Sequence, residues 1–186
     1  MATLRTVVVT LLIVVLSALA YVYIGFYDVA ADAPHGTVML RLAETARERS
    51  IAVRSINVKV PSELDSPALI AAGATEYAQM CVGCHLAPGV PDNEFRKGLY
   101  PLAPPLAGAE FARDDSEATS ARRFWIIKHG IKLSSMPAWG MTHDDNTIWT
   151  IVAFLRKLPE LKPDQYAQMT AHAAADHAEE GHDHVE

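Results

Sequence analysis

The longest apolar run of the chain lies at its N-terminus, where residues 7–27 contain no charged side chain. A helix over this run would cross a hydrocarbon core about 30 Å thick, because a helix rises about 1.5 Å per residue. The alternative is a signal peptide cleaved after Ala18-Leu19-Ala20, but cleavage there would leave the apolar residues up to Phe26 exposed. The pattern therefore predicts an uncleaved transmembrane anchor over residues 1–27.

The next segment, residues 28–61, combines a helical and an extended pattern. A helix is predicted over residues 37–49, with charged side chains opposite its apolar face. Apolar residues mostly alternate over residues 51–60, which indicates extended chain. Two interpretations fit: a juxtamembrane stalk packed on the following domain, or a docking surface for a larger membrane complex, with the extended part pairing with a partner strand. The apolar positions of the helix are Val38, Leu42 and Ala46, widened by Met39 and Leu40.

Residues 62–165 have the pattern of a small helical domain. A serine followed by a proline begins a helix over residues 66–79. Two further amphipathic helices are predicted over residues 117–131 and 148–158. Prolines exclude long helices and strands between residues 86 and 108, yet this stretch contains several leucines that need a packing partner.

The net charge of −6 is concentrated in the tail, residues 166–186. From residue 172 onward there are five acidic residues and no Lys or Arg, so the rest of the chain is close to neutral. Without a basic surface, nucleic acid is not an expected partner. Residues 164–175 are predicted to be helical. The histidines beyond fit either a disordered acidic tail or weak binding of copper, nickel or zinc. These histidines are His172, His177, His182 and His184.

The residues with distinctive chemistry are Cys81-Val82-Gly83-Cys84-His85, which include both cysteines of the chain. This C-x-x-C-H pattern is typical of covalent haem attachment: two thiols add to the porphyrin vinyl groups, and the histidine offers an imidazole nitrogen to the iron. Three alternatives are weaker. A thioredoxin-like pair needs a preceding strand, a zinc site needs two more ligands from scattered histidines, and a disulfide leaves His85 unexplained. The motif predicts one haem c, attached through Cys81 and Cys84.

With this motif at the end of a helix, residues 66–165 resemble the class I c-type cytochromes. The resemblance implies an all-α, haem-packing cytochrome c fold, here with an N-terminal transmembrane helix. It also implies that the first and last helices of the domain cross closely. The residues that would meet at this crossing are Gly73 and Tyr77 on one helix and Ile151 and Phe154 on the other.

The resemblance further assigns the surroundings of the haem iron. A proline-rich loop supplies a backbone carbonyl, here assigned to Pro104, that accepts the proton of the second ring nitrogen of His85. A Met-Pro pair about fifty residues after the haem histidine supplies the second iron ligand, here Met136. Met141 and His129 are rival ligands close to it in the sequence.

An iron held by protein ligands on both faces has no open position, which predicts an electron carrier rather than an enzyme with a small-molecule substrate. Because cytochromes of this kind receive their haem outside the cytoplasmic membrane, the resemblance implies a periplasmic domain at the cell inner membrane and a cytoplasmic N-terminus. The partners would be redox proteins, with modest steering by Lys97, Lys128 and Lys132. Alternatives are a fixed electron-transfer subunit of a larger respiratory or dehydrogenase complex, and a haem sensor or peroxidase-type enzyme with Met136 detached.

Overall fold

The computed structural model describes residues 2–108, 111 and 116–180, and this part of the chain contains helices and no β-strand. It divides into two compact units, residues 1–35 and 36–186. The predicted all-α fold class is confirmed. The α-helices are α1 Ala2–Tyr23, α2 Thr37–Ser55, α3 Pro67–Met80, α4 Val82–His85, α5 Glu94–Lys97, α6 Glu117–His129, α7 Asp145–Lys157 and α8 Pro163–Glu180, with 3₁₀ turns at Trp139–Met141 and Leu158–Glu160.

The first unit consists mainly of α1, whose apolar side chains are exposed along its length. Residues Thr3–Tyr23 are long and apolar enough to cross a membrane. After the helix, the Tyr27 hydroxyl lies 2.6 Å from Nδ1 of His35 and closes the connecting segment on itself. By length and composition, α1 agrees with the predicted anchor.

The second unit is built around the crossing of α3 and α7. Gly73 lies at this crossing, where a Cβ atom would overlap the Thr150 carbonyl group and approach Cβ of Phe154 to 2.9 Å. One turn later, Tyr77 is fully buried, with its ring centroid 5.4 Å from that of Phe154. The predicted contact of Tyr77 with Phe154 is present, whereas the group closest to Gly73 is the backbone of Thr150 and not the side chain of Ile151. Only glycine permits so close an approach of two backbones.

The helix α2 is longer than predicted. Residues 51–55 are helical and not extended, because Ile51, only 2% exposed, and Ser55 are buried on the face of α2 that packs on α6. Burial of this helical face outweighs the β-preference of Ile and Val. An ion pair of 2.6 Å between Glu48 on α2 and Arg122 on α6 spans the same contact. The C-terminal part of α2 is therefore packed on the domain, and residues 51–55 form no strand that could pair with a partner.

The helix α8 packs on α3 and begins at Pro163, so the predicted boundary between domain and tail after residue 165 falls inside a helix that contacts the core. Tyr166 is buried, and its ring centroid lies 6.3 Å from those of both Tyr77 and Phe154. This large ring adds apolar contact to the core and holds α8 in place. The helical prediction for residues 164–175 is confirmed, but the four tail histidines lie outside the described side chains.

We expect Gly73→Ala to lower the free energy of unfolding by about 1–3 kcal/mol, because the added methyl group overpacks the crossing of α3 and α7. Denaturant unfolding followed by circular dichroism measures the change. Gly36→Ala is the matched control, since a Cβ atom at Gly36 would meet nothing within 4 Å. An equal effect of the two substitutions would contradict the close crossing.

The cap of α7 predicts a pH dependence. The Asp144 carboxylate accepts the Thr147 N–H at 2.8 Å, and this hydrogen bond holds the pKa of Asp144 below its usual range. A lowered folded-state pKa means that the ionised form stabilises the fold above the unfolded-state pKa and that the gain is lost as pH falls through the folded-state pKa. Asp144→Asn keeps a capping oxygen but not the charge, so its melting temperature should lie below that of the wild type at pH 7. The difference should shrink steadily on acidification, and a difference independent of pH would contradict this cap.

Candidate haem-binding site

The two cysteines and His85 share one helical turn. The helix α3 ends at Met80 and is capped by Cys81, whose N–H donates to the Tyr77 carbonyl at 2.9 Å. The short helix α4 follows at once, and the N–H groups of Cys84 and His85 both donate to the Cys81 carbonyl, at 3.2 and 2.9 Å. Leu86 ends the turn with a φ of 62°. The backbone therefore presents two thiols and one imidazole from a single rigid turn.

Both cysteines are free thiols in the structure, so the disulfide alternative has no support. Burial raises the pKa of the Cys81 thiol to about 12 and also raises the pKa of Cys84. At neutral pH both side chains are protonated thiols. Within the part of the chain that the structure describes, no three His, Cys, Asp or Glu side chains are grouped to hold a metal ion, which leaves the zinc alternative without support.

The imidazole of His85 is fixed by the proline-rich loop. Its Nδ1 lies 2.8 Å from the carbonyl oxygen of Pro104, the residue assigned from the sequence. Because a carbonyl can only accept, Nδ1 carries the proton, and the lone pair of Nε2 is available to a metal. Burial lowers the pKa of His85, and the nearby Arg96 guanidinium lowers it further, against the opposing effect of the Pro104 hydrogen bond. The ring is therefore neutral at pH 7, as an iron ligand must be.

A bracket formed by Asn93 and Arg96 connects the haem motif to this loop. The Asn93 amide donates to the Gly83 carbonyl at 3.0 Å, and its carbonyl oxygen caps α5 by accepting the Arg96 N–H at 2.8 Å. The buried Arg96 side chain donates from Nε to the Ala103 carbonyl at 2.8 Å and pairs with Asp92 at 2.7 Å. The bracket thus fixes the residue directly before the proline whose carbonyl holds the imidazole.

Sequence reasoning missed this bracket. The asparagine cap and the four-residue spacing of Asp92 and Arg96 were visible signals for the short helix α5. The carbonyls of Gly83 and Ala103 were not visible as targets, because both contacts join segments that only the fold brings together.

Met136 lies on a separate, tightly closed loop after α6. Its carbonyl accepts the Ile131 N–H at 3.1 Å, and its own N–H donates to the Ser134 hydroxyl at 3.2 Å. Gly130, with a φ of 63°, makes this closure possible, since a Cβ atom there would lie 2.7 Å from the Met136 oxygen. The Met136 side chain is half-buried against the same core cluster that contains Cys81.

The rival ligands point elsewhere. Met141 is 85% exposed, and His129 is exposed with its ring centroid 4.8 Å from that of Trp125. Neither is joined to the core cluster around Cys81. Of the two methionines, only Met136 combines burial with a fixed backbone, so the geometry favours it as a ligand.

The donor set fits a haem group. Two thiols lie on one turn, a neutral imidazole carries its proton on the anchored nitrogen, and a soft thioether packs on the core that includes one of the thiols. A helical domain with this set has the arrangement of a c-type cytochrome.

The comparison with family models agrees with this class. Residues 68–155 match the family described as cytochrome C oxidase, cbb3-type, subunit III. This part of the chain belongs to the class I c-type cytochromes, which bind haem and transfer electrons. The match runs from α3 to α7 and leaves α1, α2 and α8 outside it. Comparisons with curated proteins and with solved structures found no match.

We expect Arg96→Leu to lower the free energy of unfolding by about 1–3 kcal/mol, because the Ala103 carbonyl loses its donor and Asp92 loses its partner. The Pro104 carbonyl should then hold His85 less firmly. Hydrogen exchange of the His85 Nδ1–H in the ferrous protein, followed by NMR, should accelerate about tenfold or more relative to the amide of Phe154.

Asp92→Asn is the matched control, because it removes the ion pair but keeps the bond from Arg96 to Ala103. It should leave the His85 exchange rate close to that of the wild type. If Arg96→Leu accelerates exchange at His85 and at Phe154 by the same factor, the bracket contributes only global stability.

Proposed function

We propose that this protein is a monohaem cytochrome c anchored in the cell inner membrane by α1, with its cytochrome domain on the periplasmic side. It carries single electrons between redox protein partners. The thiols of Cys81 and Cys84 attach the haem covalently, and His85 and Met136 ligate its iron. The observation that carries the proposal is the 2.8 Å contact of His85 with the Pro104 carbonyl, directly after the two thiols.

When bound, haem supplies the one-electron couple of its iron. The residues of the chain determine how that couple behaves. The Pro104 carbonyl keeps the proton on Nδ1 and makes the imidazole of His85 a stronger donor. The thioether of Met136 is a soft, neutral ligand that favours ferrous iron and therefore raises the potential. The closed loop from Gly130 to Met136 keeps the sulfur in place in both oxidation states, so little reorganisation accompanies transfer.

Ligation from both sides favours a carrier over an enzyme, because a substrate finds no open position on the iron. We expect the lysines named in the sequence analysis to give a modest basic surface for docking. Lys128 is engaged by Asp145 at 2.5 Å, so Lys97 and Lys132 supply most of the steering. A weak positive surface on a nearly neutral domain suits transient encounters with redox partners.

The second candidate is a fixed electron-transfer subunit of a larger respiratory or dehydrogenase complex. Two observations favour it: the matched family is described as a subunit of a cytochrome oxidase, and the chain adds α2 and α8 to the matched core. Native mass spectrometry of the detergent-extracted protein distinguishes the two. A single 20.3 kDa chain with its haem supports the carrier, and a stable larger assembly supports the subunit.

Substitution of the proposed sulfur ligand tests the function directly. Met136→Ala should leave the haem attached but lower its reduction potential by a sizeable part of the roughly 0.8 V range that axial ligands span. It should also open an iron position to added carbon monoxide or cyanide. Spectroelectrochemistry measures both changes.

Met141→Ala is the matched control, since Met141 is exposed and should leave the potential unchanged. An unchanged potential in Met136→Ala, together with ligand binding by the wild type, would support the sensor or peroxidase alternative. A purified wild-type chain whose mass lacks haem would contradict the proposal altogether.

A further inference from the structure

The helix α2 has two apolar faces, and the cytochrome domain covers only one of them. Ile51 and Ser55 face the domain and are buried. Successive residues turn by about 100° around the helix axis, which places a second set of residues together on the opposite side. These residues form a stripe that is exposed and mostly apolar. We define this α2 stripe as Val38 (75% exposed), Met39 (51%), Leu42 (62%), Ala46 (exposed) and Val53 (61%).

The α2 stripe contains all the apolar positions that predicted this helix from the sequence except Leu40, and it lies opposite the face that packs on α6. A row of apolar side chains over four turns of an exposed helix is costly to leave in water and marks an interaction surface. The stripe runs along nearly the whole of Thr37–Ser55, so its occupant must contact α2 lengthwise. A flat surface satisfies this geometry.

The charges beside the stripe favour a lipid surface. Arg49 lies within the stripe, and Arg41 and Arg54 lie about 60° beyond its two margins. The two acidic residues of α2, Glu44 and Glu48, lie toward the opposite side of the helix. An apolar stripe with arginines on and beside it, and with acidic residues on the far side, is the pattern of a helix that lies in the interface of a bilayer containing anionic lipids.

The chain itself places such a surface within reach. Residues 24–36 connect the candidate membrane helix α1 to α2 and span at most about 45 Å when fully extended. If α1 spans a bilayer, α2 cannot leave the neighbourhood of that bilayer. A lipid surface is thus present at high local concentration, whereas a protein occupant would have to be recruited.

We propose that the α2 stripe rests on the outer surface of the bilayer that α1 spans, with α2 lying between the lipid headgroups and the cytochrome domain. The inference rests on the anchoring role given to α1 under the proposed function. Its consequence is that the haem domain has a set tilt relative to the membrane and does not swing on a flexible tether. The haem edge is then presented in a fixed direction to partners in or on the membrane.

Polarised absorption of the haem tests this orientation, because the porphyrin transitions lie in the ring plane and the dichroism reports the tilt of that plane. Full-length holoprotein is reconstituted alone into oriented bilayers that contain anionic lipid. We expect clear dichroism of the haem bands in the wild type. The variant Val38→Glu/Leu42→Glu should lose this dichroism, because two carboxylates on the stripe oppose burial among lipids.

Two control variants make the result specific. Ala43→Glu adds one carboxylate to α2 about 100° away from Leu42, outside the stripe, and should keep the dichroism. Leu42→Met keeps an apolar side chain and should keep it as well. The haem absorption spectrum and the melting temperature of each variant show whether its domain is folded. We expect folded domains, because Val38 and Leu42 are exposed and their substitution leaves the core unchanged.

The outcomes separate this inference from the anchoring itself. Haem that washes off the bilayers with the protein overturns the anchor and, with it, this inference. Protein that stays in the bilayer without dichroism, or with dichroism that Val38→Glu/Leu42→Glu leaves unchanged, overturns only the role of the stripe. Dichroism that appears solely when a co-purified subunit is added assigns the stripe to a protein partner and contradicts the lipid contact.

Discussion

The chemistry proposed for this protein depends on one hydrogen bond, between Nδ1 of His85 and the carbonyl of Pro104. It selects the tautomer of the imidazole and orients the ring. The short helix α4 supplies one side of this bond and the proline-rich loop supplies the other. Asn93 and Arg96 fix the two segments relative to each other through the carbonyls of Gly83 and Ala103. These hydrogen bonds thus fix the position of the proline-rich loop, although it has no regular secondary structure.

The packing of helices makes this arrangement possible. The helix α3 must end at Cys81, with Tyr77 buried beneath the haem motif and its hydroxyl donating to the Leu86 carbonyl at 2.7 Å. That placement requires α7 to approach within backbone contact, which only Gly73 allows. The core crossing and the attachment turn are consequently parts of one structural unit.

Much of the helical fold and of the candidate haem site could be predicted from the sequence, because the sequence signals for them are local. The C-x-x-C-H motif, the capping residues and the Pro104 and Met136 loops are short patterns with distinct chemistry. The secondary-structure prediction was wrong where burial in the tertiary fold outweighed the local preference of the sequence. Residues 51–55 have the alternation of a strand, but Ile51 finds its burial on a helical face. Tyr166 lies in a polar segment of the sequence, and its ring contacts with Tyr77 and Phe154 arise only in the tertiary fold.

The contacts made by Arg96 were beyond prediction for a related reason. A buried arginine is rarely expected from sequence, and its targets are backbone carbonyls, which carry no residue signature. The two faces of α2 were equally hidden, because periodicity shows that an apolar stripe exists but not which surface covers it. The family match covers α3 to α7 and leaves α1, α2 and α8 outside it, so the family pattern gives no expectation for these three helices.

We propose that one haem is held between His85 and Met136, and proton NMR of the ferrous, diamagnetic protein tests this most directly. Protons that lie over a porphyrin face are strongly shielded by its ring current. The chain has six methionines, and we expect the methyl signal of one of them, Met136, to be shifted far upfield of the other five. Six methionine methyl signals at ordinary shifts would contradict it.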